Sequence, residues 1–559
     1  MIGRALKSII AAAAILVLSV SVAEAQIAMT KHNLSVSGTG SVKASAETQI
    51  CVFCHASHNS TPSAPLWNRR TPGATYVPYT SSTAKGNAGQ PTGSSLLCLS
   101  CHDGTIALGD VLNRTTQIAM SGGTTTMPIT SPSYLGTDLS DDHPISIVYS
   151  AALAATRGEL ASPASLTGPV RLDATGQLQC SACHDPHNNA NGKFLVMSNQ
   201  ASALCKVCHV KNNWAQGDHA LSNKTWNGSG PNPWPHTSGL TVAANACESC
   251  HRPHSAAGKK WLQNAATEED NCYPCHNGNV AAKNIQTEFT GKAYIHPVAS
   301  TTGVHDPIEP AVAQSRHVEC VDCHNPHASN ATSGVVPGSL IGVRGIDING
   351  VEINPVTTEY QICFRCHADS TNKPAPLVTR QIAQTNTRLE FATGNPSFHP
   401  IAGPGRSANV PSLIAPWTVS SILKCSDCHN NNTGPGAGGT GPKGPHGSTN
   451  IALLERPHAL TGTPTAGDIC YKCHSQSVIR NESPHNRSEH LRYGCKACHD
   501  AHGISATQGN TTNNSRLINL STTDNTPVGS GATAKLYIDT VARKCYLVCH
   551  GESHNGRSY

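Results

Sequence analysis

Residues 180–209 read CSACHDPHNNANGKFLVMSNQASALCKVCH: two Cys-x-x-Cys-His segments, the first running on to a further histidine at His187. The same segment recurs along the chain and takes up all 24 cysteines. Eleven copies have this spacing: Cys51, Cys54 and His55; Cys98, Cys101 and His102; Cys180, Cys183 and His184; Cys205, Cys208 and His209; Cys247, Cys250 and His251; Cys272, Cys275 and His276; Cys320, Cys323 and His324; Cys363, Cys366 and His367; Cys425, Cys428 and His429; Cys470, Cys473 and His474; Cys495, Cys498 and His499. A twelfth, Cys545-Tyr-Leu-Val-Cys549-His550, carries one extra spacer residue.

This is the attachment signature of c-type haem: two thiols bond the porphyrin and the adjacent imidazole becomes the proximal iron ligand. Zinc knuckles or a disulfide scaffold would also use paired cysteines. Neither needs a histidine after every second cysteine. With 30 histidines among 559 residues, one is expected at a given position about one time in twenty, yet all twelve positions hold one. Twelve covalently attached haems c follow.

Residues 1–25 read as a signal peptide, with Arg4 and Lys7, an apolar run from Ile9 to Val22, and Ala23-Glu24-Ala25 before Gln26. No second apolar stretch is long enough to span a membrane. An exported protein is expected: periplasmic, associated with the outer membrane, or extracellular. Removing Arg4, Lys7 and Glu24 leaves +4 of the +5 formal charge. Ionised haem propionates would carry the oxidised protein to roughly −8. No Lys/Arg cluster suggests nucleic-acid binding.

Only 4% of the residues are aromatic, against 48 Gly and 36 Pro. Such a chain lacks the residues that fill a core. Covalently held porphyrins would supply the missing apolar area, much as metals staple small domains. The expected fold is mostly irregular coil with short helices around the attachment motifs, little sheet, and a core of stacked haems. The motifs fall into pairs, giving six di-haem units at 26–135, 136–215, 216–285, 286–375, 376–478 and 479–559. Between motifs the Gly, Pro, Ser and Thr punctuation is heavy, as at 121–140 and 433–447.

Each iron needs a distal ligand. The four methionines beyond the signal, Met29, Met120, Met127 and Met197, do not follow the repeat, whereas eighteen histidines lie outside the motifs. Five of these stand three residues after a motif histidine: His58, His187, His254, His327 and His502. Such a histidine cannot reach the far face of its own porphyrin, so it should ligate a neighbouring haem. A second set lies upstream of the pairs, mostly beside proline: His32, His143, His236, His296, His399 and His485. The fifth unit runs from His429 into Asn430-Asn-Asn, and His446 or His458 must replace the missing ligand; His446 completes the set of twelve. His219, His305, His317, His490 and His554 are left as spares.

These residues resemble the multihaem c-type cytochromes with doubled Cys-x-x-Cys-His motifs, especially those that metal-reducing bacteria export to the periplasm, outer membrane or cell surface. The resemblance covers essentially the whole chain beyond the signal, and it is carried by the twelve motifs, the x-Pro-His variants at His187, His254 and His327, and the His-Pro pairs. It implies a non-enzymatic electron carrier in which closely stacked haems conduct by hopping, with other redox proteins, a porin or further copies of itself as partners. Two other classes stay open: a multihaem reductase with one open iron, and a structural subunit of a filament or porin complex, in which His32 could bridge to a neighbour. No Cys-x-x-Cys-Lys motif favours the reductase.

Overall fold

The computed structural model describes residues 27–559 apart from 62–63, 65, 301–305, 313–316 and 331–335. The expected signal peptide and His305 lie outside the described residues. Of the described residues 24% are helix and 12% strand or isolated bridge, and coil and turns make up the rest.

Eleven attachment motifs are each wound into one helical turn. The reason is local, because positions i, i+3 and i+4 share a helix face. One turn therefore presents both thiols and the imidazole to the same side. In eight motifs the histidine N–H donates to the first cysteine's carbonyl, as from His55 to Cys51 at 2.8 Å and from His184 to Cys180 at 3.0 Å. The other three motifs close longer helices, α1 (Gly93–His102), α2 (Glu268–His276) and α3 (Tyr360–His367).

The twelfth motif cannot use this platform. Its extra residue would turn the histidine about 100° further round a helix, away from the thiols. It lies instead in an antiparallel sheet of β1 (Asn525–Thr526), β2 (Tyr537–Asp539), β3 (Lys544–Cys549) and β4 (Glu552–Ser558), with β3 paired to the other three. Tyr537 stacks on its partner Tyr546 at 4.7 Å, and Leu547 lies opposite His554. Most remaining strands are two-residue pairings, but two of these position ligands: Tyr294–Ile295 against Gly447–Ser448, and Ser397–Phe398 against Gly503–Ile504.

The apolar interior is broken into small clusters. The largest among the described residues gathers Ile346, Tyr360, Phe364, Phe391 and Ile401 around the motif on α3. Polar anchors do much of the remaining work. Arg69 is fully buried and donates to Ser100 Oγ at 3.2 Å and to the carbonyls of Leu108, Ser100 and Ala107 at 2.8, 2.9 and 3.0 Å. These bonds tie the first motif's segment to the end of α1 and satisfy carbonyls that would otherwise be buried unpaired.

The chain divides into two compact regions. Of the described residues, the first comprises those within 27–214, 220–225 and 233–267 and holds the first five motifs; the second comprises those within 215–219, 226–232 and 268–559 and holds the last seven. The division falls inside the third expected di-haem unit, between the motifs at Cys247 and Cys272.

Candidate haem sites

The cysteines form a ladder in sequence order. In the first region Cys54 is pushed up to about 12 by burial and by neighbouring Cys101. Cys98 hydrogen-bonds Cys180, Cys183 neighbours Cys208, and Cys205 hydrogen-bonds Cys247. Second cysteines thus meet within a di-haem unit, and first cysteines meet between units. The second region repeats the alternation. Cys272 and Cys320 both neighbour Tyr273, Cys323 neighbours Cys366, and Cys363 bonds Cys425. Cys428 neighbours Cys473, Cys470 bonds Cys495, and Cys498 neighbours Cys549 and Cys545. None of the 24 cysteines is in a disulfide.

Imidazoles pair across these rungs. Two imidazoles on opposite sides of one metal ion, at about 2 Å per metal–nitrogen bond, have ring centres about 6 Å apart. His32 and His102 stand 6.3 Å apart, His55 and His187 5.9 Å, His143 and His209 6.2 Å, and His184 and His254 6.2 Å. In the second region the pairs are His219 with His276 (6.1 Å), His296 with His367 (6.3 Å) and His324 with His446 (6.1 Å). His399 pairs with His474 (6.5 Å), His429 with His502 (6.3 Å) and His485 with His499 (5.9 Å). At the twelfth motif three rings converge: His490 lies 5.3 Å from His550 and 6.4 Å from His554.

The non-motif partners come in clamps of two. His32 Nδ1 contacts the Pro186 carbonyl at 3.3 Å, His219 Nδ1 that of Pro326 at 2.8 Å, and His296 Nδ1 that of Pro445 at 2.7 Å. His399 Nδ1 contacts the Ala501 carbonyl, and His490 Nδ1 that of Pro484 at 3.0 Å. The peptide N–H of His143 donates to the Pro253 carbonyl at 2.8 Å. In each case the accepting residue immediately precedes a second histidine: His187, His327, His446, His502, His485 or His254. The two short strand pairings lead directly into such clamps, where His296 N–H donates to His446 at 3.3 Å and His399 N–H to His502 at 3.0 Å. Six clamps hold twelve histidines.

A bond at Nδ1 fixes the ring and leaves Nε2 free to bind a metal. Motif histidines are held the same way: Nδ1 of His102, His184, His251, His324, His429 and His499 lies 2.8–2.9 Å from the carbonyls of Ser133, Lys193, Trp261, Ser339, Ala452 and Arg516. Burial pushes His276, His367, His429, His474 and His499 down to about 4, and His446 to about 3. They are neutral at pH 7, with a lone pair to donate. His502 goes the other way: burial pulls it down, but a bond to Glu390 more than compensates. Paired thiols on a one-turn platform, facing neutral imidazoles at metal-bridging separation, fit haem c.

Two of the histidines expected to be distal ligands are placed elsewhere. His58 is exposed and meets no second imidazole among the described residues. His236 turns its Nε2 to the Glu248 carbonyl at 3.1 Å, so the nitrogen an iron would need is engaged. The spares His219 and His490 stand in the clamps instead. Neither has proline beside it. His32, a candidate bridge to another subunit, faces His102 of its own chain. His458 meets Asp468 rather than a motif histidine.

Parts of the chain match known multihaem proteins. Residues 173–213 match the doubled CXXCH motif, and residues 239–397 match the family described as outer membrane cytochrome MtrC/MtrF-like, domains II/IV. The chain is 28% identical over 203 residues to the multiheme cytochrome MtrA of Shewanella baltica (strain OS185); that match covers 34% of this chain and 43% of the relative's length.

Proposed function

We propose that this chain, similar to multihaem c-type cytochromes, carries twelve haems and passes electrons by hopping along them, in extracellular electron transfer to metal oxides or electrodes. Bound haem supplies a one-electron iron couple, and axial ligation and surroundings set its potential. The chain's own residues hold each porphyrin by two thiols and close both faces of its iron. The clamp histidines His32, His143, His187, His219, His254, His296, His327, His399, His446, His485, His490 and His502 are the proposed distal set. A closed set leaves no site for substrate, which favours a carrier over a reductase.

The observation that carries this reading is the cysteine ladder, in which neighbouring rungs are neighbouring motifs in sequence. Haems attached in that order would form an unbranched path through each compact region. The partners on this reading are periplasmic or outer-membrane cytochromes, with a porin as the route across the membrane. Among the described residues no helix is long and apolar enough to cross a membrane.

The test is anaerobic mixing of the fully reduced protein with ferric oxide particles, followed by haem absorbance. Reoxidation of every haem, without turnover of nitrite, hydroxylamine or tetrathionate, is expected. Haems that stay reduced, or sustained turnover of any of those three, would overturn the proposal.

A further inference from the structure

Two clamp histidines turn Nδ1 to a buried carboxylate. His254 Nδ1 lies 3.0 Å from Asp142 Oδ1, and His502 Nδ1 lies 3.0 Å from Glu390 Oε2. Both carboxylates are enclosed, with side chains 6% and 7% exposed. Asp142 Oδ1 also accepts the Ser255 N–H at 3.1 Å, which fixes its orientation. Phe391 packs against His502 at 5.2 Å, and the Arg380–Asp500 pair at 3.7 Å completes the charged surroundings of that ring.

The two sites are equivalent in the repeat. Each carboxylate backs the histidine that faces the first motif of a di-haem unit, His184 in one case and His429 in the other. One lies in each compact region. The other carboxylate–histidine contacts differ. His187 and Asp185 are 3.5 Å apart and both open to solvent, while His458, beside Asp468, and His317, beside Glu309 and Asp322, are not clamp histidines.

A carboxylate that accepts the Nδ1–H of a metal-bound imidazole makes the ring a stronger donor. Stronger donation favours ferric over ferrous iron and lowers the potential. A buried anion is also poorly screened from the iron. We propose that Asp142 and Glu390 tune the irons facing His184 and His429 to the lowest potentials in their regions. Each would then be the step at which an electron is hardest to place, and so the step that governs flow through its region. This rests on the proposed haem occupancy of the Cys180 and Cys425 motifs.

The test uses the intact holoprotein in redox titration with low-temperature EPR, comparing D142N, E390Q and the double variant. The amides keep side-chain shape and can still accept the hydrogen bond, while removing the charge. Each single variant should move one late-reduced haem to higher potential, and the double variant should move two. Twelve haems and low-spin iron should be retained. Asp185→Asn, at the exposed contact, should leave the titration unchanged. Superimposable curves for D142N and the wild type, a downward shift, or an equal effect of Asp185→Asn would overturn the tuning role. D142N carries the expectation alone should E390Q not fold. Peptide mapping that finds no haem on Cys180 or Cys425 would instead remove the occupancy reading beneath it.

Discussion

Changing His502 to alanine should convert one low-spin haem into a high-spin haem with an open position. His502 comes from the sixth di-haem unit, yet its ring faces His429 of the fifth at 6.3 Å. No other clamp histidine is placed to take over, because His399 beside it faces His474. The ferric protein should show one high-spin iron per molecule, and the reduced protein should bind one carbon monoxide. The opened haem should also rise in potential, since a strong nitrogen donor has been lost. His236→Ala is the informative control. Sequence pattern alone makes it equally damaging, but its Nε2 bond to Glu248 predicts an unchanged spin state. An open iron in His236→Ala, with none in His502→Ala, would refute the clamp arrangement.

The second large effect concerns folding. A chain made without haem attachment should be largely unfolded. Its apolar clusters are small and separate, and aromatic residues are only 4% of the chain. The one-turn helices that carry most motifs are far too short to persist alone. Their stability must come from what the thiols and imidazoles hold, as binding energy becomes folding energy in metal-dependent domains. Production in the cytoplasm, where the haem cannot be attached, should give a chain that proteases degrade rapidly and whose circular dichroism shows no cooperative melting. A protease-resistant apoprotein that unfolds cooperatively would contradict this.

What could be read from the sequence follows the range of the interactions. The Cys-x-x-Cys-His spacing is local, so the one-turn platforms and the scarcity of sheet were legible. The extra residue before Cys549 was visible as a departure, but its consequence, a strand in place of a helical turn, depends on pairing with Glu552–Ser558. Distal histidines are a non-local matter. His32 meets the Pro186 carbonyl across 154 residues; the three-residue spacing after a motif histidine marks some ligands, and for most of the rest a neighbouring proline is the guide. It selected His236, whose nitrogen is used by a backbone carbonyl, and passed over His219 and His490. The clamp rule explains the difference, because proline or alanine before one histidine offers its carbonyl to the ring or N–H of another. His446 meets that rule through Pro445. His458 also follows a proline, yet it turns to Asp468 instead.

The proposed cofactor set is twelve haems with both faces of every iron closed by histidine. Intact-mass measurement of the exported protein, combined with spin quantification of its ferric EPR spectrum, tests it directly. Twelve haems and low-spin iron throughout are expected. Eleven or fewer haems, or a stoichiometric high-spin signal in the unmodified protein, would contradict it.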